Sequence, residues 1–440
     1  MKKAMVYGAG VSGKSVVKLL QLMKWETILV DDNVGASSVE AVSYLDDVEL
    51  FIKSPGIPYN KLVKEVIKKE IKIVDEVEVA YNYMKETSTT KIIAITGTNG
   101  KTTTTSKLAD LLNLAGIRSV GAGNIGTPYS EVVMEKEKYE YIVLELSSYQ
   151  LENLENFKAN IALIINLAPD HLDRYDSVED YYKAKFNIGI NQGASDKFLV
   201  NIDDPEIVKR ITTINSELLK ISLDKETDIW VSDEKIYFKD EIVTPTTKFS
   251  LKGKHNLQNI LFIVGVAKLL GIKNEKIQSF LENTENLEHR MEEFYTYSNG
   301  NTKIKFINDS KGTNLESTIK AIGAFEHPIL ICGGCDKKLE LETLIEEINK
   351  SVEEVYLIGE LAPILEEKLI KSNYSKDKIH NLGTLEKVIE YLARNKKENN
   401  EELTILLSPA TSSFDQFKNF GVRGEKFKRL VREKFKIDKK

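Results

Sequence analysis

Ile92-Ile93-Ala94-Ile95-Thr96-Gly97-Thr98-Asn99-Gly100-Lys101-Thr102-Thr103-Thr104 reads as a buried strand, a loop with two glycines, and a helix start whose apolar period continues at Leu108, Leu111 and Leu112. That order of elements makes a phosphate cradle. Glycines let backbone N–H groups turn inward, the helix N-terminus adds positive potential, Lys101 can meet the β- and γ-phosphates, and a threonine hydroxyl can reach magnesium. The spacing is shorter than the usual G-x-x-x-x-G-K-[ST], because Gly97 closely precedes Gly100 and Ile95 stands where the first glycine would be. Alone, the loop specifies nucleoside triphosphate binding. The bland alternative is a strand-to-helix turn carrying a surface lysine.

Upstream, Ala4-Met5-Val6-Tyr7, a helix from about Ser15, Thr27-Ile28-Leu29-Val30 and Glu49-Leu50-Phe51-Ile52 alternate strand and helix signals, which implies a parallel sheet. Gly8-Ala9-Gly10-Val11-Ser12-Gly13 follows the first of these strands, and Asp31 and Asp32 close the second about twenty residues on. The pattern fits a diphosphate against glycines and an acid against ribose hydroxyls. NAD(P) and a UDP-sugar both satisfy it, so a nicotinamide oxidoreductase is the rival reading.

Lys85 to Thr90 lacks periodicity and reads as a linker. A second unit then runs through Tyr141-Ile142-Val143-Leu144, the apolar run at Ile161 and a helix from Leu257 to Leu270. A polar break from Asn283 to Glu288 precedes strands at Ile304, Ile329, Val355 and Thr404 that alternate with helices. The expected fold is α/β in three domains: 1–88, Rossmann-like; 89–286, a P-loop ATPase-like domain; and 287–440, Rossmann-like again.

Composition narrows the partners. The chain has 440 residues, 42% hydrophobic and 29% charged, with a net charge of −6 and a pI near 5.7. Nucleic acid as main partner would need a net basic face. No apolar stretch is long enough for a membrane span, and Met1-Lys2-Lys3 leads straight into a strand, so a cytoplasmic protein is expected. Cys332-Gly333-Gly334-Cys335 matches C-x-x-C but flanks a Gly-Gly turn after a buried strand, which favours a loop role over redox chemistry.

Further motifs occur in order: Ser54-Pro55-Gly56, Gly123-Asn124-Ile125-Gly126, Glu145-Leu146-Ser147-Ser148-Tyr149-Gln150, Asp170-His171-Leu172-Asp173-Arg174, Gly253-Lys254-His255-Asn256-Leu257-Gln258-Asn259, His289-Arg290, Asn308-Asp309-Ser310-Lys311-Gly312-Thr313-Asn314, and Leu407-Ser408-Pro409-Ala410 with Ser413-Phe414-Asp415-Gln416-Phe417. Together with the two glycine loops they resemble the Mur ligase family over essentially the full length, and within it the branch that adds D-glutamate. The resemblance implies an ATP-dependent amide ligase that adds D-glutamate to UDP-N-acetylmuramoyl-L-alanine through an acyl phosphate, in peptidoglycan precursor synthesis. It also implies small-molecule partners only, with neither nucleic acid nor membrane, and a monomer is expected.

By the same resemblance, Gly97, Thr98, Asn99, Gly100, Lys101, Thr102, Thr103, Asn256, Asn259, Arg290 and Asp309 would hold ATP. Gly10, Val11, Ser12, Gly13, Asp31, Asp32, Ser54, Pro55, Gly56, Asn124, Gln150 and His171 would hold the UDP-substrate. Lys311, Thr313, Lys337, Ser413, Phe414 and Phe420 would hold D-glutamate, with Lys338 the competitor of Lys337. Lys101, Glu145, His171 and Lys185 would be catalytic. Thr102, Glu145, His171 and a CO₂-derived carbamate on Lys185 would bind two magnesium ions, with Lys183 the other carbamate candidate. Gly312 departs from the alanine expected there. A ligase uses both glycine loops, whereas an oxidoreductase uses only the first and a P-loop switch or motor only the second.

Overall fold

A computed structural model of the chain describes residues 2–32, 34–135, 138–170, 174–175, 177–251, 253–284, 288–337, 339–397 and 402–436. It divides into two compact units, Met1–Thr284 and Glu285–Lys440. Every apolar run quoted above as a strand lies on one.

The first unit holds two sheets. The amino-terminal sheet is wholly parallel, in the order β2-β1-β3-β4, with β1 Lys3–Tyr7, β2 Glu26–Val30, β3 Leu50–Lys53 and β4 Lys72–Val74. Strand order reverses at β1, so the Gly8 loop, Asp31 and Ser54 all emerge at one carboxyl edge, where open parallel sheets bind ligands. The helix Val11–Leu22 begins directly after Gly10, earlier than Ser15. Of its first residues, Val11 is exposed and Ser12 is a half-buried polar residue, so neither adds to the apolar period.

The second sheet comprises β5 Lys91–Thr96, β6 Ser119–Gly123, β7 Tyr141–Glu145, β8 Ile161–Ile164, β9 Lys197–Asn201, β10 Glu217–Ser222, β11 Ile229–Ser232, β12 Lys235–Phe238 and β13 Glu241–Pro245. Their order is β13-β12-β11-β10-β9-β8-β5-β7-β6, parallel up to β11 and antiparallel across the β11–β12–β13 edge. Its switch point is β5, between β8 and β7, and the phosphate loop leaves from β5. One apolar core runs from Val6, Val16 and Val77 to Tyr129, Leu151 and Phe157, so the two sheets share their packing. The helix Glu76–Thr87 extends into the stretch read as linker. Met84 is buried there against the hydroxyl of Tyr129, and Thr87 Oγ1 bonds Tyr83 O, contacts that sequence periodicity does not carry.

The second unit contains β14 Glu292–Asn299, β15 Thr302–Asn308, β16 Ile329–Gly333, β17 Glu354–Ile358, β18 Ile379–Gly383 and β19 Glu402–Leu407, ordered β14-β15-β19-β16-β17-β18 and parallel except for the β14–β15 hairpin. β15, β19 and β16 are neighbours, so the loops beginning at Asp309, Ser408 and Gly334 share one edge. Among the described residues no helix is long and apolar enough to cross a membrane.

Candidate active site

The phosphate loop is held in shape by its neighbours. Asn166, just past β8, accepts from Asn99 N at 2.8 Å through Oδ1, donates from Nδ2 to Asn99 O at 3.1 Å, and accepts from Thr98 N through its own carbonyl. Gly100 has φ +86°, and a Cβ there would lie 2.3 Å from Asn259 Oδ1, so glycine is required twice over. Asn256 and Asn259 are both buried on the helix Lys254–Leu269. Thr98 Oγ1 bonds Ala168 and the Tyr181 hydroxyl. The buried Thr103 hydroxyl has no hydrogen-bond partner.

Two amines converge on one carbonyl of this loop. Lys101 Nζ donates to Gly97 O and Thr98 O, each at 2.8 Å, and Lys185 Nζ donates to Gly97 O at 2.9 Å. Lys185 is 1% exposed and lies over the Tyr181 ring, whereas Lys183 is exposed. Burial first, and then the charge of Lys101, hold the Lys185 ammonium well below the usual lysine range, against the pull of Asp170 and Glu145. Glu145 is 2% exposed at the end of β7. Its Oε1 accepts from Asn124 Nδ2 at 2.9 Å, while Oε2 is buried without any partner. A buried carboxylate oxygen left unsatisfied is costly, and a hard cation is the partner a carboxylate of this kind suits.

At the amino-terminal edge, Asp31 accepts Ala9 N at 2.8 Å and Val34 N at 3.3 Å, so its carboxylate shapes the glycine loop itself. Asp32 accepts Ser38 N at 2.7 Å, and Ser54 Oγ donates to Gly8 O at 3.3 Å. Gly10, Val11, Ser12 and Gly13 form the start of the adjoining helix. Gln150 spends Oε1 on the Ser147 N–H and hydroxyl within its own turn. His171 and Lys338 lie outside the described residues.

In the second unit, Asp309 is buried after β15, accepting Ser408 Oγ at 2.8 Å and Met291 N at 3.2 Å. A Cβ on Gly312 would stand 2.5 Å from Asp309 Oδ2 and 2.8 Å from Ser408 Oγ. Glycine at 312, in place of the alanine expected there, thus permits the close approach. Ala410 N bonds Gly312 O at 3.0 Å from a left-handed φ of +66°, a conformation costly for alanine. Lys311 Nζ lies 5.4 Å from the centre of the Phe420 ring, and Ser413 is buried. Lys337 and Phe414 point outward, Phe414 at 72% exposure.

Sequence reading missed Arg423. This arginine is fully buried, donating to Ser310 Oγ at 3.0 Å, Ser310 O at 2.9 Å and Thr411 O at 3.2 Å, and so joins the 309–313 and 408–413 loops. No local pattern marks it, because its partners on the first of these loops lie more than a hundred residues away.

Burial pushes the Asp309 carboxyl up to about 6, opposed by Ser408 and Arg290. A folded-state value above the unfolded one means a stabilising contribution that is complete below about pH 4 and lost as pH rises through about 6, worth about 3 kcal/mol at most. Asp309→Asn should therefore gain stability relative to the parent between pH 4.5 and pH 7.5 in thermal unfolding without ligands. A midpoint difference that does not change with pH would rule this out.

Residues 95–267 match the Mur ligase middle domain. The chain belongs to the Mur ligase family. Its relatives include the UDP-N-acetylmuramoylalanine--D-glutamate ligase of Fusobacterium nucleatum, 50% identical over 98% of this chain and 99% of that protein. The ligase of the same name from a Thermoanaerobacter strain is 37% identical over 98% of each chain. Among solved structures, the UDP-N-acetylmuramate-alanine ligase of Thermotoga maritima shares the fold with a TM-score of 0.61 at 16% identity, covering 98% of this chain and 99% of that one.

Proposed function

We propose that the chain is an ATP-dependent ligase that adds D-glutamate to UDP-N-acetylmuramoyl-L-alanine, a step of peptidoglycan precursor synthesis. A carboxylate is a poor electrophile. Its oxygen therefore attacks the γ-phosphorus of ATP, ADP leaves, and the resulting acyl phosphate is attacked by the amine of D-glutamate, which loses a proton as phosphate departs. The observation that carries this reading is the cluster of Lys101, Lys185 and Glu145 around the phosphate loop, with one Glu145 oxygen buried and unpartnered.

Roles follow from chemistry at each position. Lys101 and the loop and helix start from Gly97 to Thr103 would hold the β- and γ-phosphates of ATP, Asn256 and Asn259 its adenine, and Arg290 and Asp309 would add further ATP contacts. Gly10 to Gly13, Asp31, Asp32, Ser54 to Gly56, Asn124, Gln150 and His171 would hold the UDP-substrate. Lys311, Thr313, Lys337, Ser413, Phe414 and Phe420 would receive D-glutamate, whose two carboxylates call for cations and hydroxyls. Thr102, Glu145, His171 and Lys185 as a carbamate would ligate two magnesium ions, which when bound neutralise charge on the phosphoryl oxygens. The segments 1–88, 89–286 and 287–440 are the corresponding functional domains, in a monomer acting in the cytoplasm.

Phosphate release tests the reading. With ATP, Mg²⁺ and UDP-N-acetylmuramoyl-L-alanine, D-glutamate should stimulate release, whereas L-glutamate, L-alanine and D-aspartate should not. No stimulation by D-glutamate would defeat the assignment. Stabilisation by NAD(P) and none by the UDP-substrate would return the oxidoreductase.

A further inference from the structure

The turn that follows β3 is gripped by two cations. Lys53, 1% exposed, donates from Nζ to Ile57 O at 3.1 Å. Arg174 Nη1 donates to Pro55 O from far along the chain. Arg174 is itself immobilised: Glu152 Oε2 accepts its Nη2 at 3.1 Å, the Tyr149 ring centre lies 3.9 Å from its guanidinium carbon, and its Nε is buried without a partner. Behind it stands an aromatic column. Tyr149 stacks on Tyr175 at 5.9 Å, Tyr175 packs on Tyr181 at 5.4 Å, and the Tyr181 hydroxyl meets Thr98 Oγ1 at 3.2 Å on the phosphate loop.

An arginine held this way has lost the rotamer freedom that makes a surface arginine adaptable. What it does with that rigidity is fix one backbone carbonyl. We propose that Arg174 is a positioning residue for the UDP-substrate, setting the Pro55 carbonyl and with it the Ser54–Ile57 turn against the Gly8 loop. The inference rests on the reading that Ser54, Pro55 and Gly56 hold that substrate. Charge by itself does not explain the arrangement, because Glu152 pairs with Arg174 and Lys53 already places a cation on the same turn. The planar fork does, since it reaches a carbonyl and a carboxylate at once while sitting over a ring.

The test measures KM for each substrate in the full chain carrying Arg174→Ala or Arg174→Lys. Losing a charge-assisted hydrogen bond should raise KM for UDP-N-acetylmuramoyl-L-alanine about tenfold or more in Arg174→Ala, and a few-fold in Arg174→Lys, which keeps the charge without the fork. KM for ATP and for D-glutamate should stay within about twofold of the parent, because the column's remaining contacts are untouched. If Arg174→Ala does not fold, Arg174→Lys decides alone. An unchanged KM for the UDP-substrate overturns the proposal, and so does an equal rise in all three, the mark of general loosening. A parent enzyme that does not use this substrate would instead defeat the proposed function, so the two failures are told apart.

Discussion

Lys185→Ala is expected to lower turnover by about 10³-fold, whereas Lys183→Ala should leave it within about twofold. The contrast follows from environment. Lys183 is exposed, while Lys185 is buried with its amine on the carbonyl that Lys101 also occupies. A protonated Lys185 would set a second cation beside Lys101 in a desolvated place, and burial with that neighbour holds its ammonium well down. The neutral amine is the form that reacts with CO₂, releasing a proton and leaving an anionic carbamate. Such a group would face Lys101 favourably and offer oxygens to a hard cation near Glu145.

Sign gives the test its edge. If Lys185 acts as a carbamate, Lys185→Arg should be as slow as Lys185→Ala, because a fixed cation has the wrong charge, and short carboxylates such as formate or acetate should partly restore Lys185→Ala. If Lys185 acts as a cation, Lys185→Arg should keep activity and carboxylates should do nothing. Full turnover in Lys185→Ala would remove the residue from the mechanism altogether.

Legibility in the sequence follows the range of the contacts. The phosphate loop can be read because its chemistry is contiguous, strand to glycine to lysine to helix, within Ile92 to Thr104. Glu145 is readable as an acid ending an apolar strand. Burial of Lys185 is only faintly legible, as a lysine one turn after Tyr181 on the helix Val178–Phe186, whose buried face carries both. Asn166, Arg174 and Arg423 act through partners from different elements, and a sequence read in local windows holds no trace of such pairs. Strands were missed for a related reason. β6, β14 and β18 lie at sheet edges, where Ser119-Val120-Gly121-Ala122-Gly123 or Ile379-His380-Asn381-Leu382-Gly383 need bury little and so carry little apolar signal. Gly312 shows the limit of a family pattern. Its cost or benefit depends on Asp309 Oδ2 and Ser408 Oγ, and a family pattern cannot supply those distances.

Lys101→Ala should reduce turnover by roughly 10²-fold or more, the loss expected when one strong donor to a transition state is removed. Stability should change little. Gly97 O keeps the hydrogen bond from Lys185, Thr98 O gives up its lysine partner, and Lys101 itself is only half-buried. KM for the UDP-substrate should also hold, since the carbonyls that Lys101 bonds, Gly97 O and Thr98 O, both belong to the phosphate loop. Retained turnover would make Lys101 an ordinary lysine at a strand-to-helix turn. The stronger consequence is coupling. Lys101 is one of the two causes that depress the Lys185 ammonium, so its removal raises that group and shrinks the neutral fraction able to form a carbamate. Lys101→Ala therefore damages Lys185 as well. The double variant Lys101→Ala/Lys185→Ala should be about as slow as the worse single variant, well short of the product of the two losses, as groups acting as one unit behave. Losses that multiply would mean that the two amines, although they share the Gly97 carbonyl, serve the reaction independently.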